Sequence, residues 1–427
     1  MRSDSLDGWL AYIERQHPKA IALGLERVAQ VLQRLDAASA CPVITVGGTN
    51  GKGSTCAMLE SILRAAGWRI GLYTSPHLLR YNERVRIAGR EAGDAALCEA
   101  FAAVDDARRD VPLTYFEFGT LAAAWLFARE RLDALVLEVG LGGRLDAVNA
   151  FDPDCAVLTS IGIDHVEFLG GSRDAIGREK AGIFRARRPA VVADPDPPPS
   201  VLEEARRIGA QLLLLGRDFG YSAQPAQWTF RGPGGKTATL AHPALRGAIQ
   251  LRNTSAALAA LETLRERLPV GMQEVRRGLS EVTLPGRFQV LPGRPQVVLD
   301  VAHNPEAAAA LADNLMAAGF ARETIAVFGM LRDKDIAGVV RAIAPRISRW
   351  HLARLGGPRG ADCRQLANAL AGAGVRAPAF EHETPAAALA AAQREAGESD
   401  KIVVFGSFLT VADAMEQLEA QRHRKHG

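Results

Sequence analysis

Between residues 42 and 67 the chain passes from an apolar run, Pro42-Val43-Ile44-Thr45-Val46, through Gly47-Gly48-Thr49-Asn50-Gly51-Lys52-Gly53-Ser54-Thr55, into a helical pattern that ends at Gly67. An apolar run this short, closed by glycines, reads as a buried strand, and Gly67 stands where a helix C-cap belongs. Strand, glycine loop and helix in that order admit few folds, because the helix must pack back over a mostly parallel sheet. Glycines let backbone N–H groups wrap a phosphate, and the helix N-terminus favours negative charge. Gly53 separates Lys52 from Ser54, so the loop departs from the common G-x4-G-K-[ST] spacing. Nucleotide binding is the expected role. The plain alternative is a glycine-rich turn with a solvent lysine.

The alternation continues, with strands expected near 69–74, 134–139, 155–161 and 189–193 and helices near 94–108, 117–131 and 172–187. Short alternating runs at 219–241 predict a small antiparallel accessory sheet. Beyond Leu284-Pro285-Gly286-Arg287-Phe288 the pattern restarts, with a strand at 296–301, a helix at 305–318 and strands near 325–328, 349–354, 376–380 and 401–405. The expected class is α/β. A P-loop ATPase-type domain with a mostly parallel sheet would occupy 1–288, and a smaller Rossmann-like α/β domain 289–427.

Composition narrows the partners. Lys and Arg number 51 against 48 Asp and Glu, a net charge of +3, so no strong field advertises nucleic acid or a membrane and an anionic ligand must be held locally. Five cysteines without paired spacing argue against a disulfide framework or a zinc site and for a reducing compartment. The opening residues carry acids early and lack a signal peptide's apolar core, and the most apolar run, 118–127, is far short of the ~20 residues of a membrane span. A cytoplasmic protein is expected.

Further residues carry chemistry. Glu138 is a lone carboxylate in the apolar run Leu135-Val136-Leu137-Glu138-Val139, followed by Gly140-Leu141-Gly142-Gly143-Arg144-Leu145-Asp146. A buried carboxylate without a partner costs several kcal/mol, which points to Mg2+, or else to an ion pair with Arg144. Asp164-His165 follows an apolar run at the carboxyl end of a strand, where α/β sheets place ligands, although a lone His is more often structural. Taken alone, Lys180 in Glu179-Lys180-Ala181-Gly182 reads as a surface helix charge. Asp300, His303 and Asn304 crowd a strand-to-helix turn of the second domain, with Pro305 set for the first helical turn, and are expected to face the cleft between domains.

Together the segments GTNGKGS (48–54), YTSPHL (73–78), ERVRI (83–87), EVGLGGRLDAVN (138–149), TSIGIDH (159–165), EKAGIF (179–184), LPGRF (284–288) and DVAHNPEA (300–307) resemble the folylpolyglutamate synthases. The likeness is to the bacterial bifunctional type that is also a dihydrofolate synthase, within the Mur ligase superfamily. It implies ATP cradled by Thr49, Asn50, Gly51, Lys52, Gly53 and Ser54 and contacted by Asn253, Arg287 and Asp300. It also implies two Mg2+ ions at Ser75, Glu138 and His165, a monovalent cation, and a carbamoylated Lys180 as a further metal ligand. Leu23, Ser75, Thr114, Phe116, Glu117, Asp146 and Ala147 would bind the substrate, most of them around the pterin, and His303 would lie near the glutamate or ribose. Lys52, Lys180, His165, Asp300 and His303 would carry the catalysis. The implied partners are dihydropteroate, reduced folates and L-glutamate, taken by a monomer. One departure is Leu409, where several relatives have His. A GTP-dependent switch is the rival of another class, but no N-K-x-D motif occurs.

Overall fold

The computed structural model describes residues 5–37 and 40–426. The chain forms two compact units, Met1–Ala244 with Gln250–Val282, and Leu245–Ile249 with Thr283–Gly427.

The first unit is built on eight strands: β1 (Val43–Gly47), β2 (Ile70–Tyr73), β3 (Val85–Ile87), β4 (Arg90–Glu91), β5 (Ala134–Glu138), β6 (Cys155–Leu158), β7 (Pro189–Val192) and β8 (Gln211–Leu214). Their order is β4-β3-β2-β5-β1-β6-β7-β8. Along the sheet from β2 to β8 the pairing is parallel, and the β2–β3 and β3–β4 pairs at the edge are antiparallel. Every residue of β1, β5 and β6 is buried, as expected of strands with helices on both faces. β1 pairs with β5 at Val46 and Glu138 and with β6 at Gly47 and Leu158, so the glycine loop leaves the sheet between the outgoing ends of two neighbours. Trp9, Tyr73, Tyr81, Phe101, Phe118 and Phe127 fill the core on the β2 side, each large ring contributing about 1.5–3 kcal/mol by burial. The expected accessory sheet is present as β9 (Gly220–Ala223), β10 (Trp228–Arg231) and β11 (Thr237–Leu240), all antiparallel.

The second unit carries β12 (Gln289–Leu291), β13 (Gln296–Leu299), β14 (Thr324–Phe328), β15 (Arg349–Ala353), β16 (Ala379–His382) and β17 (Lys401–Phe405), in the order β12-β13-β17-β14-β15-β16. It is parallel except for β12. Two details differ from expectation. The strand sought at 376–380 begins at Ala379, because Pro378 has no N–H and supplies only its carbonyl, to Trp350 N–H at 2.9 Å. The LPGRF segment, placed at the end of the first domain, belongs to the second unit: Val301 N–H donates to Gly286 C=O at 2.9 Å and Phe288 N–H to Asp300 Oδ2 at 2.8 Å. No described helix is long and apolar enough to cross a membrane.

Candidate active site

The glycine loop is locked onto the outgoing end of β6. Thr49 N–H donates to Ser160 C=O (2.8 Å), and the Thr49 hydroxyl donates to Gly162 C=O (3.1 Å) while accepting Gly162 N–H (3.0 Å). Asn50 N–H donates to Ser160 Oγ at 3.0 Å, and the Thr159 hydroxyl donates to Asn50 C=O at 2.7 Å. Gly48 needs its hydrogen, since φ is 142° and a Cβ would overlap the Thr159 hydroxyl. Gly51, at φ 90°, starts the helix Lys52–Ala65 with no side-chain cap, and the first bond of that helix runs from Thr55 N–H to Gly51 C=O at 2.9 Å. The N–H groups of Lys52, Gly53 and Ser54 precede that ladder, which makes an anion site at the helix start. Asn253, from the helix Ile249–Thr263, lies against Gly51 closely enough that a Cβ there would overlap its carboxamide. Its Nδ2 donates to Gln250 Oε1 at 3.0 Å, whereas its buried Oδ1 has no partner, as a polar group reserved for a nucleotide would.

Beside the loop stand a carboxylate and a second lysine. Glu138, 5% exposed at the end of β5, accepts Ser75 N–H at 3.1 Å. Arg144, the alternative partner, binds Glu204 (2.8 Å) and Glu179 (3.4 Å). Lys180 departs most from the sequence reading: it is 5% exposed, and its Nζ donates to Gly48 C=O at 2.9 Å. The reason is non-local. Gly143 sits so tightly on the backbone of Glu179 and Lys180 that a Cβ would not fit, so the loop after β5 packs directly on this helix end, and Lys180 reaches a carbonyl 132 residues away. Lys52 Nζ reaches the same carbonyl at 3.1 Å. Burial, and then the charge of Lys52, push Lys180 down to about 7. His165, one third exposed, N-caps the turn Val166–Leu169 at φ 51° with its ring beside Asp164.

These donors suit a hard divalent ion: a carboxylate, a serine, an imidazole and an amine that can become a carbamate. Among the described residues no trio of His, Cys, Asp or Glu gathers into a metal site, so such an ion must draw further ligands from Ser75, modified Lys180, phosphate or water.

A separate wall forms from segments far apart in sequence. Thr114 caps the helix Tyr115–Arg129, and Glu117 closes the capping box. Glu117 also binds Arg27 at 2.7 Å, so its oxygens hold the wall together; Arg27 donates to Ala22 C=O at 2.8 Å and Gly24 N–H to Leu145 C=O at 3.2 Å. These bonds carry the Leu23 segment to Leu145-Asp146-Ala147. The Phe116 ring lies on Gly140, where a Cβ would clash. Asp146 is buried and accepts N–H groups from Leu141 (2.8 Å) and Val148 (3.0 Å); burial pushes its carboxyl up to about 6 against those bonds.

In the second unit the Asp300 carboxylate accepts Phe288 N–H and Ala302 N–H, each at 2.8 Å, and burial raises its pKa. His303 Nδ1 lies 2.9 Å from Val301 C=O, so that nitrogen carries the hydrogen. Asn304 and Pro305 open the helix Pro305–Ala317 as N-cap and first residue. Phe408, overlooked in the sequence, lies under the Arg287 guanidinium (5.0 Å) and beside His303 (6.2 Å); the aromatic inside FGSFL was its only signal.

Residues 46–261 match the Mur ligase middle domain and residues 286–408 the Mur ligase glutamate ligase domain. The dihydrofolate synthase/folylpolyglutamate synthase of Escherichia coli (strain K12) is 45% identical over 418 residues, spanning 98% of this chain and 96% of that protein. The structure of E. coli FolC in complex with DHPP and ADP superimposes with a TM-score of 0.94 at 45% identity, covering 99% of each chain. A bifunctional folylpolyglutamate synthase/dihydrofolate synthase with Mn, AMPPNP and L-glutamate bound gives a TM-score of 0.90 at 46% identity, covering 98% of this chain and 99% of that one.

Proposed function

The chain belongs to the dihydrofolate synthase/folylpolyglutamate synthases of the Mur ligase family, and from that premise we propose that it joins L-glutamate to dihydropteroate and to tetrahydrofolate through an acyl phosphate. It is an ATP-dependent ligase. The convergence of Lys52 and Lys180 on the Gly48 carbonyl, with Glu138 on the adjoining strand, carries this function most directly.

A carboxylate is a poor acyl donor. Its oxygen therefore takes the γ-phosphoryl group of ATP, ADP leaves, and the glutamate amine then attacks the acyl carbon, releasing phosphate and a proton. The protein's task in the first step is to bring two anions together. The N–H groups at the start of the helix Lys52–Ala65, with Lys52, hold the phosphates, and Asn253 Oδ1 accepts a donor from the nucleotide. Ser75, Glu138, His165 and modified Lys180 would hold two Mg2+ ions, with a monovalent cation nearby, which supply charge neutralisation. Asp146 and Phe116 take the pterin, the first by accepting N–H groups and the second by stacking. Asp300, Arg287 and His303 serve the nucleotide and glutamate.

Lys180 is carbamoylated in this reading. Two ammonium groups on one carbonyl repel, and a pKa lowered to about 7 leaves a substantial share of Lys180 neutral near pH 7, the form that adds CO2 with loss of a proton. The carbamate turns a buried cation into an oxygen ligand. The five cysteines, outside any disulfide, fit a cytoplasmic setting. Product masses after incubation with ATP, glutamate and either dihydropteroate or tetrahydrofolate test the function: each acceptor should gain one glutamyl unit or more, and no mass gain with either would refute it.

A further inference from the structure

YTSPHL and ERVRI hold more than the reaction above uses. The Glu83 carboxylate accepts the N–H groups of Leu78, Leu79 and Arg80, each at 2.7 Å, and Thr74 N–H donates to Arg84 C=O at 2.9 Å, so the segment between β2 and β3 is pinned at both ends. Inside this frame Arg84 Nε–H donates to His77 Nδ1 at 2.9 Å, and the guanidinium lies 5.3 Å from the ring centres of both Tyr81 and Tyr115. A guanidinium offers no acceptor and keeps its proton in a protein. Nδ1 therefore presents its lone pair, the ring is neutral, and the imidazole hydrogen sits on Nε2 as a donor. Arg84, only 9% exposed, is a buried cation committed to fixing one tautomer of one half-buried histidine.

The location gives that donor a use. Two residues before His77, Ser75 N–H holds the Glu138 carboxylate; on the other side Tyr115, against Arg84 and 5.9 Å from Tyr81, precedes Phe116 in the wall over Gly140. An acceptor whose pterin lies on that wall must extend its carboxylate toward the phosphate loop and Glu138.

We propose that His77 donates its Nε2 hydrogen to the acceptor carboxylate that receives the phosphoryl group, with Arg84 as the positioning residue behind it. This rests on the ligase function above. Its test compares dihydropteroate with an analogue whose carboxylate is replaced by hydrogen, each titrated into wild-type protein, His77→Phe and His77→Gln. A hydrogen bond to a charged group is worth roughly a ten- to hundredfold difference in affinity, so wild-type protein should prefer dihydropteroate by about that factor. His77→Phe keeps a neutral ring without a donor and should reduce the preference to within about threefold, with ADP affinity unchanged; His77→Gln can still donate and should restore part of it. An equal preference in wild type and His77→Phe overturns the assignment. If wild-type protein binds neither compound, the substrate class fails first and the role of His77 falls with it. Imidazole 15N spectra of the wild-type protein add a readout that does not depend on a folded variant: an Nε2–H signal that moves with dihydropteroate and not with the analogue supports the proposal, and an Nδ1–H tautomer overturns it.

Discussion

Lys180 and Asp146 show how burial rewrites the chemistry of single side chains. If the proposed carbamate holds, Lys180→Ala should lower ligation by at least ~100-fold through loss of a metal ligand, and added acetate should recover part of the rate by filling the vacated place; an active Lys180→Ala enzyme would return the lysine to a purely packing role. Density beyond Nζ in a crystal grown with bicarbonate is the direct check on the carbamate. Asp146→Ala should damage the dihydropteroate reaction more than the folate reaction by about 1–3 kcal/mol, since dihydropteroate has no glutamyl tail to share the binding. The pH dependence has a definite sign. With the folded carboxyl at about 6, above its ordinary 3.8, Asp146 is mostly ionised at pH 7, the form that the proposed pterin contact needs, so kcat/KM for dihydropteroate should fall as the pH drops through about 6. For stability the raised value works the other way: its contribution is fully present below about pH 4 and is lost as the pH rises through 6. Asp146→Asn should remove both dependences. Neither burial was readable along the chain, because the partner of Lys180 lies 132 residues away and Asp146 is held by the N–H groups of Leu141 and Val148 in a loop without periodicity.

At the scale of elements, the glycine loop was legible because its constraints are local: a strand too short to be a helix, glycines at the turn, and a helix pattern behind them. The hydroxyls that hold it were not, since Thr159 and Ser160 lie about a hundred residues away and meet the loop only through the β1–β6 pairing. Gly48→Ala tests that lock. Its Cβ would displace the Thr159 hydroxyl and with it Asn50, and calorimetry should show ADP binding at least about tenfold weaker, whereas unchanged affinity would mean that the loop yields freely. The β3–β4 hairpin escaped notice for the opposite reason. Three residues, a turn at Ala88-Gly89 with φ 50° and 81°, and two more residues leave no alternation to read.

Across the whole molecule, two α/β units were visible from the restart of strand–helix alternation, and the placement of LPGRF was not, because its attachment is a pair of backbone bonds to the Asp300–Val301 turn. The site itself emerged only when the motifs were taken together, since Asn253 lies in an alanine-rich helix whose sequence carries no local signal. In the proposed function Asp300 serves the nucleotide and glutamate, so Asp300→Ala should cut ligation by at least ~100-fold while leaving the first unit folded, and wild-type turnover would make the second unit a bystander. In the proposed mechanism the acceptor carboxylate is phosphorylated before glutamate attacks. Dihydropteroate carrying 18O in its carboxylate, incubated with ATP and glutamate, should deliver one labelled oxygen to inorganic phosphate for each amide formed; amide formation with unlabelled phosphate would contradict the acyl phosphate outright.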